Sequence, residues 1–256
     1  MKITFLGTGT SQGVPVIACP CEVCASSDPR DKRLRCSVLL QIDDKNIVID
    51  TGPDFRQQML RTGLKKLDAI LFTHGHKDHT AGLDDVRAYN YVMQRPTDVY
   101  AEQRVQKIIR QEFSYIFAEK KYPGVPELNI NTIKNIPFLI NQLKITPIRV
   151  KHLNLPIFGF RINKFAYITD ANYISNTEKN KLRGLDCFVI NGLRKKQHIS
   201  HFSLKESLDL IAEIKPKQAY ITHISHQMGL HRDVQTELPK NVFLAYDGME
   251  IVIFNG

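Results

Sequence analysis

Ala69-Ile-Leu-Phe-Thr-His74-Gly-His76-Lys-Asp78-His79 decides the reading of this chain. Its apolar opening is too short for a helix and suits a buried strand. That strand runs directly into four metal-binding side chains within six residues. In a loop, His74 and His76 can turn toward one ion while Asp78 and His79 turn toward another, because one metal seldom takes four such neighbours without strain. Imidazole with carboxylate suits zinc, manganese or iron and does not select among them. A polar surface loop that happens to be His-rich is the bland alternative, and the crowding of donors weighs against it.

The same pattern recurs. Ile47-Val-Ile-Asp50-Thr-Gly52, Phe165-Ala-Tyr-Ile-Thr-Asp170 and Gln218-Ala-Tyr-Ile-Thr-His223 each run from apolar residues into an abrupt polar ending, and His152 follows Ile148-Arg-Val-Lys151. If each ending sits just past a strand, several can converge at one sheet edge, so side chains distant in sequence share a pocket. His152, Asp170 and His223 then complete the ligands begun at His74. Between the strands, residues 97–117 and 203–214 carry apolar residues at helical spacing. Ser203 with Glu206 forms a capping box at the start of the second stretch. Residues 37–41 and 46–50 predict a hairpin turning at Asp43-Asp44-Lys45. Strands and helices mixed this densely predict an α/β layered fold with part of its sheet antiparallel. No linker interrupts it, so a single domain over 1–256 is expected.

The 256 residues are 43% hydrophobic and 24% charged, the balance of a globular protein with one sizeable core. No apolar run approaches the ~20 residues that span a bilayer, so no membrane partner is expected. Met1-Lys2-Ile3-Thr4-Phe5-Leu6-Gly7 reaches a Gly/Thr/Ser-rich loop too soon for a signal peptide, which makes the cytoplasm the expected location. A net charge of +9 and a pI near 9.3 suit an anionic substrate or nucleic acid. The basic residues are scattered, though, and form no tail.

Cys19-Pro-Cys21-Glu-Val-Cys24 places three of the five cysteines in six residues. In a reducing compartment that spacing favours a metal over disulfides. Three thiolates leave a tetrahedral zinc one ligand short. His226, three residues beyond His223, is the best-placed fourth: one histidine turns inward and the other toward the Cys loop. Such a closed site is structural and pins the N-terminal loop. Cys36 and Cys187 stand alone, Cys187 reading as a buried thiol. His231 reads as exposed and without a role.

With these motifs the chain resembles the metallo-β-lactamase-fold hydrolases. That resemblance implies an αββα sandwich of mixed sheets with helices on the outer faces. It implies that His74, His76 and His152 hold one ion and that Asp78, His79 and His223 hold the second, with Asp170 and a hydroxide shared between them. Two divalent ions, manganese or zinc or else iron, lower the pKa of the shared water and neutralise developing charge. Within the family, the Cys insert, Thr222-His-Ile-Ser-His-Gln227 and Tyr246-Asp-Gly-Met-Glu-Ile251 are similar to the phosphoribosyl 1,2-cyclic phosphate phosphodiesterases of phosphonate catabolism. The implied substrate is a small anionic phosphate ester, opened by attack of the metal-bridging hydroxide. Residues 90–145 match only loosely and are where a substrate-contacting lid or a homodimer surface is expected.

A departing alkoxide needs a proton. His198 and His201 compete to supply it. His201 is favoured because it lies just before the cap at Ser203, two residues away, and matches the family's extra active-site histidine. It joins Asp78 and Asp170 as the catalytic set. Alternatives on the same fold are a tRNA 3′-processing nuclease and a cofactor-maturation protein. Nucleic acid is the weaker partner, since no long Gly- and Pro-rich arm is present. From another class comes a zinc-stabilised, non-catalytic nucleic-acid-binding module, disfavoured because a purely structural site gains nothing from open positions.

Overall fold

Short runs of β-branched and aromatic residues, closed by Asp, Gly, Asn or Thr, become strands throughout this chain. The computed structural model describes residues 1–253. In its first half lie β1 (Lys2–Gly7), β2 (Ser37–Ile42), β3 (Lys45–Ile49), β4 (Ala69–Leu71), β5 (Thr97–Ala101) and β6 (Leu128–Thr132). They are followed by β7 (Phe138–Ile140), β8 (Leu143–His152), β9 (Leu155–Ile162), β10 (Phe165–Ile168) and β11 (Tyr173–Ile174). The last are β12 (Cys187–Asn191), β13 (Gln218–Thr222), β14 (Val242–Leu244) and β15 (Glu250–Val252). Two compact units result. One takes Met1–Leu6, Ser37–Lys134 and residues 250–253, and the other takes Gly7–Cys36 and Asn135–Met249.

The first unit holds a sheet in the order β15-β1-β2-β3-β4-β5-β6. The β2/β3 hairpin pairs Gln41 with Asn46, and Asp43 takes the left-handed conformation at φ 53° that its turn requires. From β3 to β6 the strands are parallel, so each connection must cross over. Helices Phe55–Thr62, Arg87–Met93 and Gln103–Glu112 lie in those crossovers. Val48, Ile70, Phe72, Val99, Val105 and Ile109 form part of the core between sheet and helices. Because β3 and β4 are parallel, Asp50 and the His74 segment leave the sheet at the same edge.

One helical expectation fails here. Residues 97–101 are a strand, and the helix is confined to Gln103–Glu112 with a 3-10 turn at Ser114–Phe117. The reason is tertiary. Thr97-Asp-Val-Tyr-Ala alternates buried and half-buried positions, and neighbours on both sides supply its ladder hydrogen bonds.

The second unit holds a sheet in the order β11-β8-β9-β10-β12-β13-β14, with β7 paired to β8. β8 and β9 are antiparallel, as are β9 and β10, so β8 runs in the same direction as β10. β10, β12, β13 and β14 are mutually parallel. His152 at the end of β8, Asp170 after β10, Asn191 at the end of β12 and His223 after β13 therefore reach one edge. Helix Leu204–Ile214 carries the expected Ser203/Glu206 capping box and buries Leu210 and Ile211 against the sheet core. No helix among the described residues is long and apolar enough to cross a membrane.

His231 corrects the sequence reading, because it is 3% exposed. Arg33, 4% exposed, donates to Thr8 Oγ1 (2.8 Å), to the Ala245 carbonyl (2.6 Å) and to His231 Nδ1 (3.2 Å). The Asp31 carboxylate accepts from the His231 backbone N–H at 2.8 Å. Burial and the neighbouring guanidinium push the His231 imidazole down to about 4. The unfolded chain takes up this proton below about pH 6.5 and the folded chain only near pH 4. Stability from this group is thus complete above pH 6.5 and is lost as pH falls to 4, by about 1–3 kcal/mol after solvent screening. In His231→Asn, urea unfolding between pH 7.5 and 4.5 is expected to lose that part of its pH slope. Matching slopes in both proteins would refute the assignment.

Candidate active site

In the first unit Asp50 holds His79 from behind and anchors Thr73. Thr73 donates to it twice, from its backbone N–H (2.9 Å) and its hydroxyl (2.7 Å), and His79 Nδ1 lies 2.7 Å from Asp50 Oδ2. A carboxylate on Nδ1 orients the ring and leaves Nε2 as the outward nitrogen. Burial pushes the Asp50 carboxyl up, and the His79 and Thr73 contacts oppose that shift. His74 Nε2 lies 3.1 Å from His76 Nδ1, and His79 Nε2 lies 3.3 Å from Asp78 Oδ2. His76 opens the short helix Lys77–Thr80, so the side chains at 76 to 79 fan out over one turn. The Thr51 N–H donates to the His79 carbonyl and the Gly82 N–H to the Thr51 carbonyl, closing this loop on the end of β3. Gly82 has no alternative there, since a Cβ would stand 2.1 Å from the Gly52 carbonyl oxygen.

In the second unit Asp170 is central. Thr169 Oγ1 donates to its Oδ1 at 2.5 Å, while His223 Nε2 and His201 Nε2 stand 3.2 and 3.4 Å from its Oδ2. His152 Nδ1 is 2.8 Å from the Asp170 carbonyl and 3.0 Å from that of Ser200, contacts that fix this nitrogen as the donor and turn Nε2 to the site. His201 stacks on His223 with ring centres 4.8 Å apart. Two donor groups, each within 4.8 Å, share Asp170: His152 with His201, and His223 with Cys36. Asp50, Asp170 and His223 all adopt the left-handed conformation, at φ 64°, 58° and 55°. Non-glycine residues take it at a cost of order 1 kcal/mol, and such residues gather at functional sites.

Several contributors escaped the sequence reading. Asp50 ended one of the recurring strand motifs without being assigned a role. Asn191, which closes Cys187-Phe-Val-Ile in the same way, bonds the Ala171 N–H (2.8 Å) and carbonyl (2.9 Å) and so clamps the turn after Asp170. Cys36 does not stand alone, because its Sγ is 3.2 Å from Thr169 Oγ1. Only the return of the chain beside β10 reveals that. Cys187 is buried as expected, and burial pushes its thiol up. His201 is pushed down to about 4 by burial, with Asp170 acting in the opposite sense, and His198 is lowered chiefly by burial and secondarily by Arg194.

Cys19, Cys21, Cys24 and His226 bring one ligand atom each within 4.8 Å of one another. His226 Nδ1 is 3.3 Å from both Cys19 Sγ and Cys21 Sγ. The Cys24 N–H, followed by His226, lowers the Cys21 thiol to about 6, whereas burial raises Cys24 to about 11. Three sulfurs and an imidazole are the donor chemistry of a closed zinc site, so these residues fit that ion. The Asp-, His- and Cys-bearing groups around Asp170 fit a divalent ion in the same chemical terms.

Comparison with known proteins agrees with this layout. A family model described as a beta-lactamase superfamily domain matches residues 45–224. The crystal structure of a diphosphatase from the PhnP family is 39% identical, with a TM-score of 0.92 over 99% of this chain and 98% of that one. Zinc-bound PqqB from Methylobacterium extorquens shares the fold at 18% identity, with a TM-score of 0.79 over 99% of this chain and all of its own. A Porphyromonas gingivalis protein named octanoyltransferase is 41% identical over 99% of this chain, which spans only 52% of that protein's length. The αββα class expected from the sequence is the class found. The chain belongs to the beta-lactamase superfamily, in its metallo-β-lactamase fold, and within it to the PhnP family.

Proposed function

We propose that the chain is a dinuclear metal-dependent phosphodiesterase that opens a small cyclic phosphate of the phosphoribosyl 1,2-cyclic phosphate kind in the cytoplasm. The ligands proposed for it are His74, His76, Asp78, His79, His152, Asp170 and His223, with Cys19, Cys21, Cys24 and His226 proposed to hold a structural zinc. Bound divalent ions supply an acidified water and neutralise charge gathering on the phosphoryl oxygens.

The observation that carries the reading is the position of His201. Its Nε2 stands beside Asp170 Oδ2, and its ring stacks on His223, a residue of the same ligand set. A ring held there can hand a proton to an oxygen leaving from the reacting phosphorus. Burial favours its neutral form. A phosphodiester anion in the pocket works the other way, favouring the charged form and arming the acid as substrate arrives. The excess of basic residues suits the same anionic substrate.

A second reading, cleavage of a diphosphate, is favoured by the PhnP-family diphosphatase relative. The two differ in their leaving groups, because phosphate departs without the proton that an alkoxide needs. The test is a panel of ribose 1,2-cyclic phosphate 5-phosphate, a phosphoanhydride, a short RNA and an octanoyl thioester, run separately with zinc, manganese and iron. Turnover of the phosphoanhydride alone would replace the first reading with the second. His201→Ala is expected to slow an alkyl-leaving diester by about 10²–10⁴-fold and an activated aryl diester far less. Equal losses would remove His201 as the acid.

A further inference from the structure

The loop between Asn191 and Ser203 presents more than His201. Arg194 donates from Nη1 to Gln227 Oε1 (2.5 Å) and from Nη2 to the Gln197 carbonyl (3.0 Å). Asn172 Nδ2 donates to the Ile199 carbonyl at 3.0 Å, and the Phe202 N–H to the Ala171 carbonyl at 2.7 Å. His198 thus sits in a built loop. Its Nδ1 is 3.2 Å from His201 Nδ1, and Ser200 Oγ stands 3.2 Å from the first nitrogen and 3.0 Å from the second.

Two imidazole nitrogens this close cannot both present lone pairs, so one carries a hydrogen. The Ser200 backbone N–H, 3.4 Å from His198 Nδ1, points a donor at that nitrogen. His198 Nδ1 is therefore the acceptor, and His201 Nδ1 is the donor, to His198 directly or to Ser200 Oγ. With Nδ1 committed outward, Nε2 is the nitrogen of His201 left to exchange a proton with the reacting group. It is also the one facing Asp170.

We propose that His198 and Ser200 are positioning residues that keep one hydrogen of His201 committed to Nδ1, so that Nε2 is the nitrogen that carries the second, transferable proton to the leaving oxygen. This rests on the reading of His201 as proton donor. Neither residue touches the reacting atoms. Removing His198 lets the His201 ring turn over or change tautomer, so that a fraction of molecules present the wrong nitrogen. One neutral hydrogen bond is worth about 2- to 10-fold in that population. Ser200→Ala acts in the same sense and more weakly, because the direct contact between the two rings survives.

The test combines ring-nitrogen NMR on the zinc-loaded full chain with leaving-group kinetics, for wild type, His198→Ala, His198→Asn and Ser200→Ala. Wild type is expected to show His201 protonated at Nδ1. His198→Ala is expected to lose that signature and to slow an alkyl-leaving diester about 2- to 10-fold while sparing an aryl one. His198→Asn, whose Oδ1 can accept in place of Nδ1, is expected to restore both and guards against a folding defect in the alanine variant. Unchanged His201 nitrogen shifts in His198→Ala and in Ser200→Ala would overturn the proposal. A shifted tautomer in a protein that turns over no phosphodiester would instead overturn the functional reading and leave the positioning intact.

Discussion

Asp170→Asn is expected to lower kcat/KM by about 10³-fold or more with every metal, and to remove the exchangeable metals while sparing the structural zinc. The substitution keeps the shape of the side chain and removes its charge. Asp170 is shared by the donor group with His152 and His201 and by the one with Cys36 and His223, and Thr169, His201 and His223 all contact its carboxylate. An amide offers one acceptor oxygen where the carboxylate offers two, and the other end becomes a donor. Elemental analysis before and after dialysis against chelator reads the metals, and kinetics in excess metal read the rate. The fold should tolerate the change, since the Asn191 clamp on Ala171 uses only backbone atoms of the following residue. Full activity in a variant retaining its metals would end the case for Asp170 as a shared ligand.

Cys24→Ser is expected to release the structural zinc and lower Tm by roughly 10 °C, from a loss of order 3–5 kcal/mol. Besides the four donors, this end of the N-terminal loop is held by a few hydrogen bonds, such as Lys32 Nζ to the Cys24 carbonyl (3.0 Å) and Ser26 Oγ to Asp31 Oδ2 (2.7 Å), and by little apolar packing. Its local cluster of buried apolar residues is Val14, Val23, Cys24 and Leu230. A core that small does not offset the entropy of ordering the loop, whereas a Cys3His zinc contributes folding free energy directly. Limited proteolysis should cut first among residues 15–30, while the Arg33 network survives further along the segment. The burial that raises Cys24 makes metal binding release a proton, so zinc affinity should weaken as pH falls. A serine variant that keeps its zinc and melts within 2 °C of wild type would remove the metal from this account.

Much of the site was legible because its chemistry is dense in sequence. Four donors in six residues, three cysteines in six and a capping box at Ser203 are local patterns, and local patterns survive without coordinates. The hairpin at Asp43 was legible for the same reason. Residues 97–101 were misread because the helical spacing of Val105, Ile108, Ile109 and Phe113 was carried back to Thr97, while partners for a strand at Thr97 are contributed from about thirty residues away. His231 was misread because a polar residue in a charged stretch gives no sign that Arg33 will bury beside it.

Sequence alone nominated the candidate donors of the Asp78 segment, Asp170, His223 and the Cys loop, because donor types and strand endings are written in the chain. Tertiary structure decided how each donor is aimed. Asp50 behind His79, Asn191 beside Ala171 and Cys36 beside Thr169 are pairings across 20 residues or more. The left-handed turns at Asp50, Asp170 and His223 likewise need a surrounding fold to impose them. Directions of this kind are set by what packs against a strand end, which no local pattern encodes. The pairing of His198 with His201 is the sharpest case: two histidines that competed for one role in the sequence are brought to 3.2 Å in the folded loop.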